Sequence, residues 1–268
     1  MKRILIITAA LLFCSSIYGQ QETRENTDYK KFKFGFSLDP NLSWMSPKTN
    51  EITNEGVLGR ASFGLNADIM FSENYAFGTG VSVMKNGGFL TYLDFEQRDN
   101  DSTQYMVLRE RKYKLNYVKI PLTIKLRTSE IGYITYWGQF GLGLSFATSS
   151  RAEDKLTFTL QQEPTSGFWQ ESSKDAIEEV LPDISGDIVP VRASMIVAAG
   201  IEYALSGNTS AVFGITYDNG FTNVLSGRGI EKDDDGLPVF ETGDATTPKE
   251  FDLKSISNHF QFTLGVLF

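Results

Sequence analysis

The sequence predicts an all-β fold, an eight-stranded antiparallel up-and-down transmembrane β-barrel with four long outer loops and three short periplasmic turns. Eight segments alternate apolar and polar residues with a period of two, which is typical of strands with one apolar face. The connections between them alternate between short and long, as in outer-membrane barrels. The chain also combines 11 Tyr, 20 Phe and 3 Trp with a mean hydropathy of -0.19. This composition excludes a disordered chain and a bundle of apolar transmembrane helices.

The N-terminus has the pattern of a secretory signal. Lys2 and Arg3 precede an apolar stretch, residues 4–13, that is too short to span a bilayer, and a small, polar segment follows it. We expect cleavage after Gly19. Cys14 leaves a lipoprotein as an alternative, which the bulky residue before that cysteine disfavours. The predicted organisation is a signal peptide at 1–19, a short N-terminal periplasmic segment at 20–31 and a barrel domain at 32–268.

The charge balance limits the classes of partner. The 268 residues include 25 Lys+Arg and 33 Asp+Glu, which gives a net charge of -8 at pH 7. Nucleic-acid-binding proteins carry an extended basic face, whereas basic clusters here are short runs such as 109–114. We therefore expect no nucleic-acid partner. The sequence gives no reason to expect a cofactor, and one cysteine excludes a disulfide framework.

The first three strands follow the N-terminal segment. In the first, 32–39, Phe or Leu occupies every even position, and polar or glycine residues occupy every odd one. The second, 61–71, and the third, 75–83, repeat the alternation and are separated by the turn residues 72–74. Two alternating runs joined by a short turn predict a hairpin.

The fourth and fifth strands are predicted at 117–126 and 134–146. In the fourth, Val, Ile and Leu at even positions alternate with polar residues, and the fifth is rich in glycine. Pro121 is an exception in the fourth strand, because proline cannot donate a ladder hydrogen bond. We expect a bulge or a missing bond there.

The last three strands complete an even number. The sixth, 192–205, and the seventh, 211–218, are joined by a tight turn at 206–208, and the eighth, 260–268, ends the chain. Each run is long enough to cross a bilayer, which takes about 9 to 11 tilted residues. A closed barrel of such strands satisfies every backbone donor and acceptor in lipid.

Long connections separate the hairpins at the other end. They cover residues 45–59, 94–105, 149–190 and 225–250. Within the third connection, 172–181 predicts a short helix, because Ser172 can cap its start and Pro182 can end it. The third and fourth connections are the candidate surfaces for a protein partner or an external ligand.

The end of the chain resembles the C-terminal signal of bacterial outer-membrane proteins, in which a terminal aromatic residue follows apolar residues at alternate positions. The residues that carry this resemblance are Phe260, Phe262, Leu264, Val266 and Phe268. The resemblance implies recognition by the barrel-assembly machinery. It also implies localisation in the outer membrane of a Gram-negative bacterium, with outer-membrane lipids as the surrounding partners.

The predicted fourth strand carries a second resemblance. Its residues Tyr117-Val118-Lys119-Ile120-Pro121-Leu122 are similar to the Tyr-x-x-Ile-Pro-Leu strand of PorT-family outer-membrane β-barrels. This resemblance implies an eight-stranded barrel in which a proline within the strand is ordinary. The family name comes from a protein associated with secretion of proteases across the outer membrane, and most similar proteins have no defined activity. We do not transfer the secretion role.

The alternation also predicts the contents of the barrel. An eight-stranded barrel is just wide enough for side chains to fill it, and polar residues of both signs in this space must pair. The predicted polar network of the lumen consists of Lys33, Asp39, Asp68, Lys119, Lys125, Gln139, Arg192, Glu202, Asp218 and Gln261. A filled lumen favours a non-enzymatic structural, binding or secretion-accessory role. A narrow solute channel lined by the same residues is the alternative.

Two further patterns in the sequence bear on catalysis and metal binding. Ser257 and His259 lie two residues apart on the inward parity of the last strand, a pair that outer-membrane lipid hydrolases also use. No third group that would orient the histidine is evident, so we assign no catalytic residue. The acidic run at 233–235 lacks the alternate spacing and distal Glu of a calcium loop, so no metal site is expected.

Overall fold

The computed structural model describes residues 31–97, 103–181, 184–233, 235–244 and 246–268. The expected signal peptide, and all but the last residue of the segment 20–31, lie outside the described residues. The strands are β1 (Phe32–Pro47), β2 (Thr53–Gly56), β3 (Leu58–Ser72), β4 (Tyr75–Gln97), β5 (Gln104–Arg127), β6 (Ile134–Gln162), β7 (Trp169–Glu171), β8 (Ile177–Leu181), β9 (Val191–Ser206), β10 (Thr209–Gly220), β11 (Arg228–Ile230), β12 (Glu250–Asp252) and β13 (Ser255–Leu267). One 3-10 turn covers Ser185–Asp187. In this part of the chain no helix is long and apolar enough to cross a membrane.

Eight of these strands close into a ring. Its order is β1-β3-β4-β5-β6-β9-β10-β13, and β13 returns to β1. All the pairings are antiparallel. Closure is visible at Gly35, which lies opposite Asn66 of β3 on one side and Leu267 of β13 on the other. The predicted eight-stranded antiparallel barrel is therefore confirmed.

The barrel wall has its apolar face outside. On β1, Phe34 and Phe36 are 57% and 54% exposed, whereas Ser37 and Asp39 between the outward positions are buried. A soluble barrel would bury the apolar set, because burial removes apolar surface from water. Apolar surface on the outside and polar groups on the inside fit a barrel that is surrounded by lipid.

The two ends of the barrel differ. Residues 73–74, 128–133 and 207–208 form the three short connections, and the chain termini of the barrel lie at the same end. Four aromatic pairs or clusters mark the two edges of the lipid-facing surface. Phe36 with Phe268, Phe71 with Tyr75 and Tyr133 with Tyr203 lie at the short-turn end, and Trp44, Tyr217 and Phe260 form a cluster nearer the outer end.

The long connections contain more strand than the sequence predicted. β4, β5 and β6 have 23, 24 and 29 residues, so they continue well past the 9 to 11 or so residues that a crossing needs. The second connection, expected at 94–105, is a hairpin in which Gln97 lies opposite Gln104. The helix expected at 172–181 is wrong, because Ile177–Leu181 pairs as β8 with the extended part of β6.

The parts of β4, β5 and β6 beyond the lipid-facing surface, residues 84–97, 104–117 and 147–162, are called the strand extensions. In them the polarity of the barrel wall is reversed. On β5 the odd-numbered residues point inward throughout, and they change from polar at Lys125 and Lys119 to apolar at Tyr117 and Leu115. The even-numbered, outward residues change in the opposite sense, from apolar up to Val118 to polar at 116, 114, 112 and 110. Outside the bilayer the outer face meets water, so the usual preference for apolar groups inside applies again.

The strand that contains Pro121 shows the expected irregularity. Between β4 and β5 the ladder pairs Thr79 with Leu122 and then resumes at Ser82 with Lys119, so two residue pairs are missing from it. Towards β6, Pro121 lies opposite Gly143 in an unbroken ladder. The missing ladder bond predicted at Pro121 is confirmed, and the register on either side of it is unchanged.

Candidate functional site: the lumen and its outer seal

A cluster of ion pairs fills the periplasmic half of the lumen. The carboxylate of Glu202 on β9 accepts hydrogen bonds or ion contacts from Lys125 at 2.8 Å, Arg127 at 2.5 Å and Lys33 at 3.5 Å. Lys125 also pairs with Asp68 at 2.6 Å. Its ammonium lies 5.0 Å from the ring centre of Trp137. We call this set, without the Trp, the inner ion cluster.

Four of the inner ion cluster's five members are among the residues predicted for the lumen. Arg127 is the member that sequence reasoning missed. It lies on the same inward parity as Lys125, but the predicted strand ended one residue earlier. The parity of β5 was therefore the signal that could have identified it.

A second cluster fills the outer half of the lumen. Asp218 on β10 accepts from Lys119 of β5 at 2.5 Å and from Arg192 of β9 at 2.6 Å. Arg192 also donates to the backbone carbonyl of Ser257 at 2.7 Å, and Nε2 of His259 lies 3.9 Å from the Asp218 carboxylate. All five side chains are buried. We call this set the outer ion cluster, in which two cations share one carboxylate.

The remaining predicted lumen residues lie between the two clusters. Asp39 accepts from the Ser37 hydroxyl at 2.8 Å, and Gln261 lies 3.5 Å from the Thr263 hydroxyl. Together with Gln139 they border a cavity of about 100 Å³. That space holds a few water molecules but is well below the roughly 300 Å³ of a small-molecule site.

An apolar core closes the outer mouth of the barrel. It joins inward residues of the strand extensions to residues from the connections β1–β3, β6–β9, β10–β11 and β12–β13. Tyr117, Met84 and Leu225 are among its members and are at most 1% exposed. We call this cluster the outer seal; it comprises Met45, Ile52, Met84, Leu90, Tyr92, Tyr113, Leu115, Tyr117, Ala152, Ile184, Ile188, Val224, Leu225 and Leu253. Sequence reasoning missed it because all of these residues except Tyr117 lay outside the predicted strands.

Above the outer seal, two arginines organise the strand extensions. Arg109 pairs with Asp94 and Glu96 at 2.8 Å each and with Asp154 at 2.5 Å. Arg111 shares the same Asp154 at 2.7 Å. Burial raises the pKa of the Asp94 carboxyl above its ordinary value, although the charge of Arg109 opposes that shift. The short basic run of the sequence is thus an alternation in which these two arginines point inward.

The Ser257 and His259 pair lies in the lumen, beneath the outer seal. The two residues are 0% and 1% exposed. His259 Nδ1 lies 3.5 Å from the Asn86 amide, and the carboxylate near its other nitrogen is already held by Lys119 and Arg192. A hydrolase needs an accessible nucleophile with a base that a third group orients. The observed arrangement resembles a structural polar network more than such a site.

Asp233 of the predicted acidic run caps two backbone amides in the fourth connection, and residue 234 lies outside the described residues. The carboxylate of Asp233 accepts hydrogen bonds from the backbone amides of Asp235 at 3.0 Å and Leu237 at 2.8 Å. Among the described residues no group of three or more potential metal ligands comes together.

The residues of the predicted C-terminal signal point away from the lumen. Phe260, Phe262, Leu264 and Phe268 are exposed on the outer face of β13, and Val266 is half-buried. The backbone of Phe268 also exchanges two hydrogen bonds with Phe34 of β1, at 2.7 and 3.1 Å. The last residue of the chain therefore takes part in closing the ring.

Several solved structures are similar to this chain at low sequence identity. No curated protein sequence matches the chain. Among solved structures, the Neisserial surface protein A is 11% identical, covers 89% of this chain and 96% of its own, and has a TM-score of 0.42. OprG from Pseudomonas aeruginosa is 9% identical over 88% and 95%, with a TM-score of 0.41. The attachment invasion locus protein Ail of Yersinia pestis is 12% identical over 89% and 100%, with a TM-score of 0.35.

A protein-family model identifies the class to which the chain belongs. The outer membrane protein beta-barrel domain matches residues 18–226, which is more than half of the chain. The match agrees with the closed eight-stranded ring and with the outward apolar face. The protein lies in the outer membrane of Gram-negative bacteria, and the chain belongs to the outer membrane protein beta-barrel domain family.

Proposed function

We propose that this protein is a non-enzymatic, PorT-like outer-membrane barrel with a closed lumen, and that it acts as a binding or secretion-accessory protein through its strand extensions. The outer seal is the observation that carries this proposal. A conducting pore needs a continuous wet path, whereas the mouth of this barrel is filled by buried apolar side chains.

The two ion clusters support the same conclusion from inside the barrel. Breaking a buried pair leaves an uncompensated charge, which costs several kcal/mol. Opening a path past Asp218 or Glu202 would require such breaks, because each carboxylate is held by at least two cations. The lumen therefore acts as a rigid filling that supports the wall.

The strand extensions supply the surface for the proposed binding role. Their outward face is lined with charged side chains, such as Lys112, Glu153, Glu110 and Lys155, which are held in cross-strand register. Their inward side chains form part of the outer seal. A surface that is held rigid in this way can present contacts without ordering on binding, which lowers the entropic cost of association.

The likeness to the PorT family rests on the strand motif at 117–122. In this chain the motif covers the point at which β5 leaves the bilayer, with Val118 the last apolar outward residue and Tyr117 the first residue of the outer seal. We therefore propose membership of this type on the motif and on the strand layout. The secretion-accessory role is one form that binding at the outer face could take.

Conductance tests the closed lumen. Refolded protein in planar bilayers is expected to give no discrete conductance steps. The matched variant is the double substitution Met84→Ala and Tyr117→Ala, which removes large side chains from the outer seal. Discrete steps from the unaltered protein would overturn the closed lumen and support the narrow channel instead.

Shortening one hairpin tests the role of the extensions. Phe89 and Lys112 lie opposite each other, so a two-residue Asn-Gly turn can join them and remove residues 90–111. The shortened barrel is expected to assemble but to fail to complement a strain that lacks the protein. Full complementation by an assembled, shortened barrel would overturn the role of the extensions.

A further inference from the structure

The outward face of β4, β5 and β6 changes character where these strands leave the bilayer. Val83, Val118 and Phe146 lie opposite one another in register. They are the last apolar outward residues of their strands before the polar extensions begin. This row marks the outer edge of the lipid-facing surface on this side of the barrel.

The next two outward rows carry cations and no acid. The first row aligns Lys85, Asn116 and Ser149. The second aligns Gly87 with Lys114 and Arg151.

A further cation, Arg60 of β3, reaches the same level. From β3 its guanidinium reaches the Asn116 side-chain oxygen at 3.1 Å and the Asn86 carbonyl at 3.0 Å. Arg60 holds an inward position of β3, opposite Asn41, so we give the name cationic patch to the outward Lys85, Lys114 and Arg151 alone.

On the described residues of β4, β5 and β6, acidic side chains join the outward face in the rows farther from the membrane. The third row aligns Phe89, Lys112 and Glu153, and the fourth aligns Thr91, Glu110 and Lys155. Rows on one face of a strand are about 7 Å apart along it, so at a tilt of about 45° each row lies about 5 Å higher. The headgroup region is about 5 to 7 Å deep per leaflet, so Lys85 in the first row lies within it. Lys114 and Arg151 stand one row higher, and their long side chains can reach down to its outer edge.

The pairing of these cations leaves positive charge available. Lys114 contacts Glu153, which Lys112 also contacts at 2.9 Å, so one carboxylate serves two lysines. Among the described residues Lys85 and Arg151 have no carboxylate within ion-pair distance. The two rows on β4, β5 and β6 therefore carry a net positive charge.

The opposite side of the barrel has a different surface at this edge. Trp44, Tyr217 and Phe260 form a cluster of rings with centres 4.9 to 6.4 Å apart. Aromatic rings suit any bilayer interface, whereas clustered Lys and Arg at headgroup depth favour anionic headgroups. The two sides of the barrel therefore meet the outer leaflet in chemically different ways.

We propose that the cationic patch binds the phosphate groups of a phosphorylated lipid headgroup in the outer leaflet. Several cations at neighbouring outward positions can share the oxygens of one or two phosphates, with Arg151 able to donate in a fork and the lysines acting as point charges. The apolar row immediately below accommodates the acyl chains of the same lipid. This inference rests on the membrane location and orientation of the barrel, and it holds whether or not the proposed binding role is correct.

Lipid binding to the full-length, detergent-refolded protein tests the proposal, with native mass spectrometry counting bound lipid. The probes are lipopolysaccharide, the same lipid after dephosphorylation, and inorganic phosphate. The test variant combines Lys85→Gln, Lys114→Gln and Arg151→Gln. The matched control combines Lys155→Gln, Arg228→Gln and Lys249→Gln, which removes the same charge from cations that are paired farther out.

The proposal predicts at least a tenfold loss of lipopolysaccharide affinity in the test variant and less than a twofold loss in the control. It also predicts weak binding of the dephosphorylated lipid. Equal binding by wild type and test variant would overturn it, as would an equal loss in both variants. Tight binding of inorganic phosphate that displaces the lipid would overturn the assignment to a headgroup. If the triple variant fails to fold, Arg151→Gln alone decides, with a threefold or greater loss expected.

Discussion

Arg192 and Asp218 pair at 2.6 Å inside the barrel, with both side chains completely buried. Lys119 shares the same carboxylate at 2.5 Å, so one acid compensates two cations that come from different strands. Lys119, Arg192 and Asp218 together tie β5, β9 and β10 to one another at the level where the polar lumen meets the outer seal. The stability of the barrel should therefore depend strongly on Asp218.

Replacing Asp218 with Asn tests this dependence. The amide keeps the shape of the side chain but leaves Lys119 and Arg192 without a charge partner, so we expect a loss of about 3 to 5 kcal/mol in the free energy of unfolding. Equilibrium unfolding by urea from lipid vesicles measures it. The control is Glu110→Gln, which breaks an exposed pair with Lys155 and should cost at most about 1 kcal/mol. Equal costs for the two variants would contradict a stabilising role of the outer ion cluster.

The outer seal can be loosened independently of the membrane-spanning barrel. Leu225→Ala removes a fully buried side chain, and Leu→Ala substitutions in cores cost about 2 to 5 kcal/mol. We expect the extensions to become sensitive to protease while the unheated protein still migrates as a folded barrel on a gel. Leu237→Ala, at a position 61% exposed, is the control and should change neither property. Loss of the folded band in the Leu225 variant would show that seal and barrel unfold together.

The reversal of polarity predicts that the same substitution has very different costs at two positions of β6. Leu142→Arg places a charge on the lipid-facing side and should destabilise the barrel by about 2 to 4 kcal/mol. Ser149→Arg, beyond the apolar row, faces the headgroup level and should cost less than about 1 kcal/mol. Unfolding from vesicles compares the two. A similar cost at both positions would place residue 149 within the bilayer and contradict the assigned boundary.

The final residue should matter more for assembly than for stability. Phe268→Ala keeps the two backbone hydrogen bonds with Phe34 but removes the terminal ring that packs 6.0 Å from Phe36. We expect several-fold less folded protein in the outer membrane of cells, because the assembly machinery is expected to read the terminal aromatic. Refolding in detergent should be nearly unchanged. Normal assembly in cells would contradict a role of Phe268 as a signal.

The sequence was sufficient to predict the barrel because a strand in lipid must alternate. Lys125 and Asp68 could be assigned to the lumen from parity alone, and the structure places them 2.6 Å apart. Parity does not reveal which charges pair, since partners such as Lys119 and Asp218 are 99 residues apart. That information depends on strand order and register.

The strand extensions could not be predicted by the same reasoning. Their period is still two, but at Tyr117 the inward residues become apolar and the outward ones charged, so the pattern no longer matches a lipid-facing strand. A bulge at residue 148 of β6, where Asn116 lies opposite Ser149 and Tyr117 opposite Ala147, also shifts the parity of that strand. The segment at 172–181 has helical end signals, yet part of it pairs with β6, because an unpaired strand edge is a strong template.

The reversal of polarity along β5 can be measured by the accessibility of spin labels to reagents that partition into lipid or into water. Single labels are placed at Leu122, Lys114, Tyr113 and Lys119 in protein refolded into vesicles. The accessibility of each label is measured to oxygen, which partitions into lipid, and to a water-soluble nickel chelate. Leu122 is expected to be accessible to oxygen and Lys114 to nickel, whereas the two inward positions are expected to be accessible to neither. A lipid-like response at Lys114, or a water-exposed response at Leu122, would contradict the reversal of polarity.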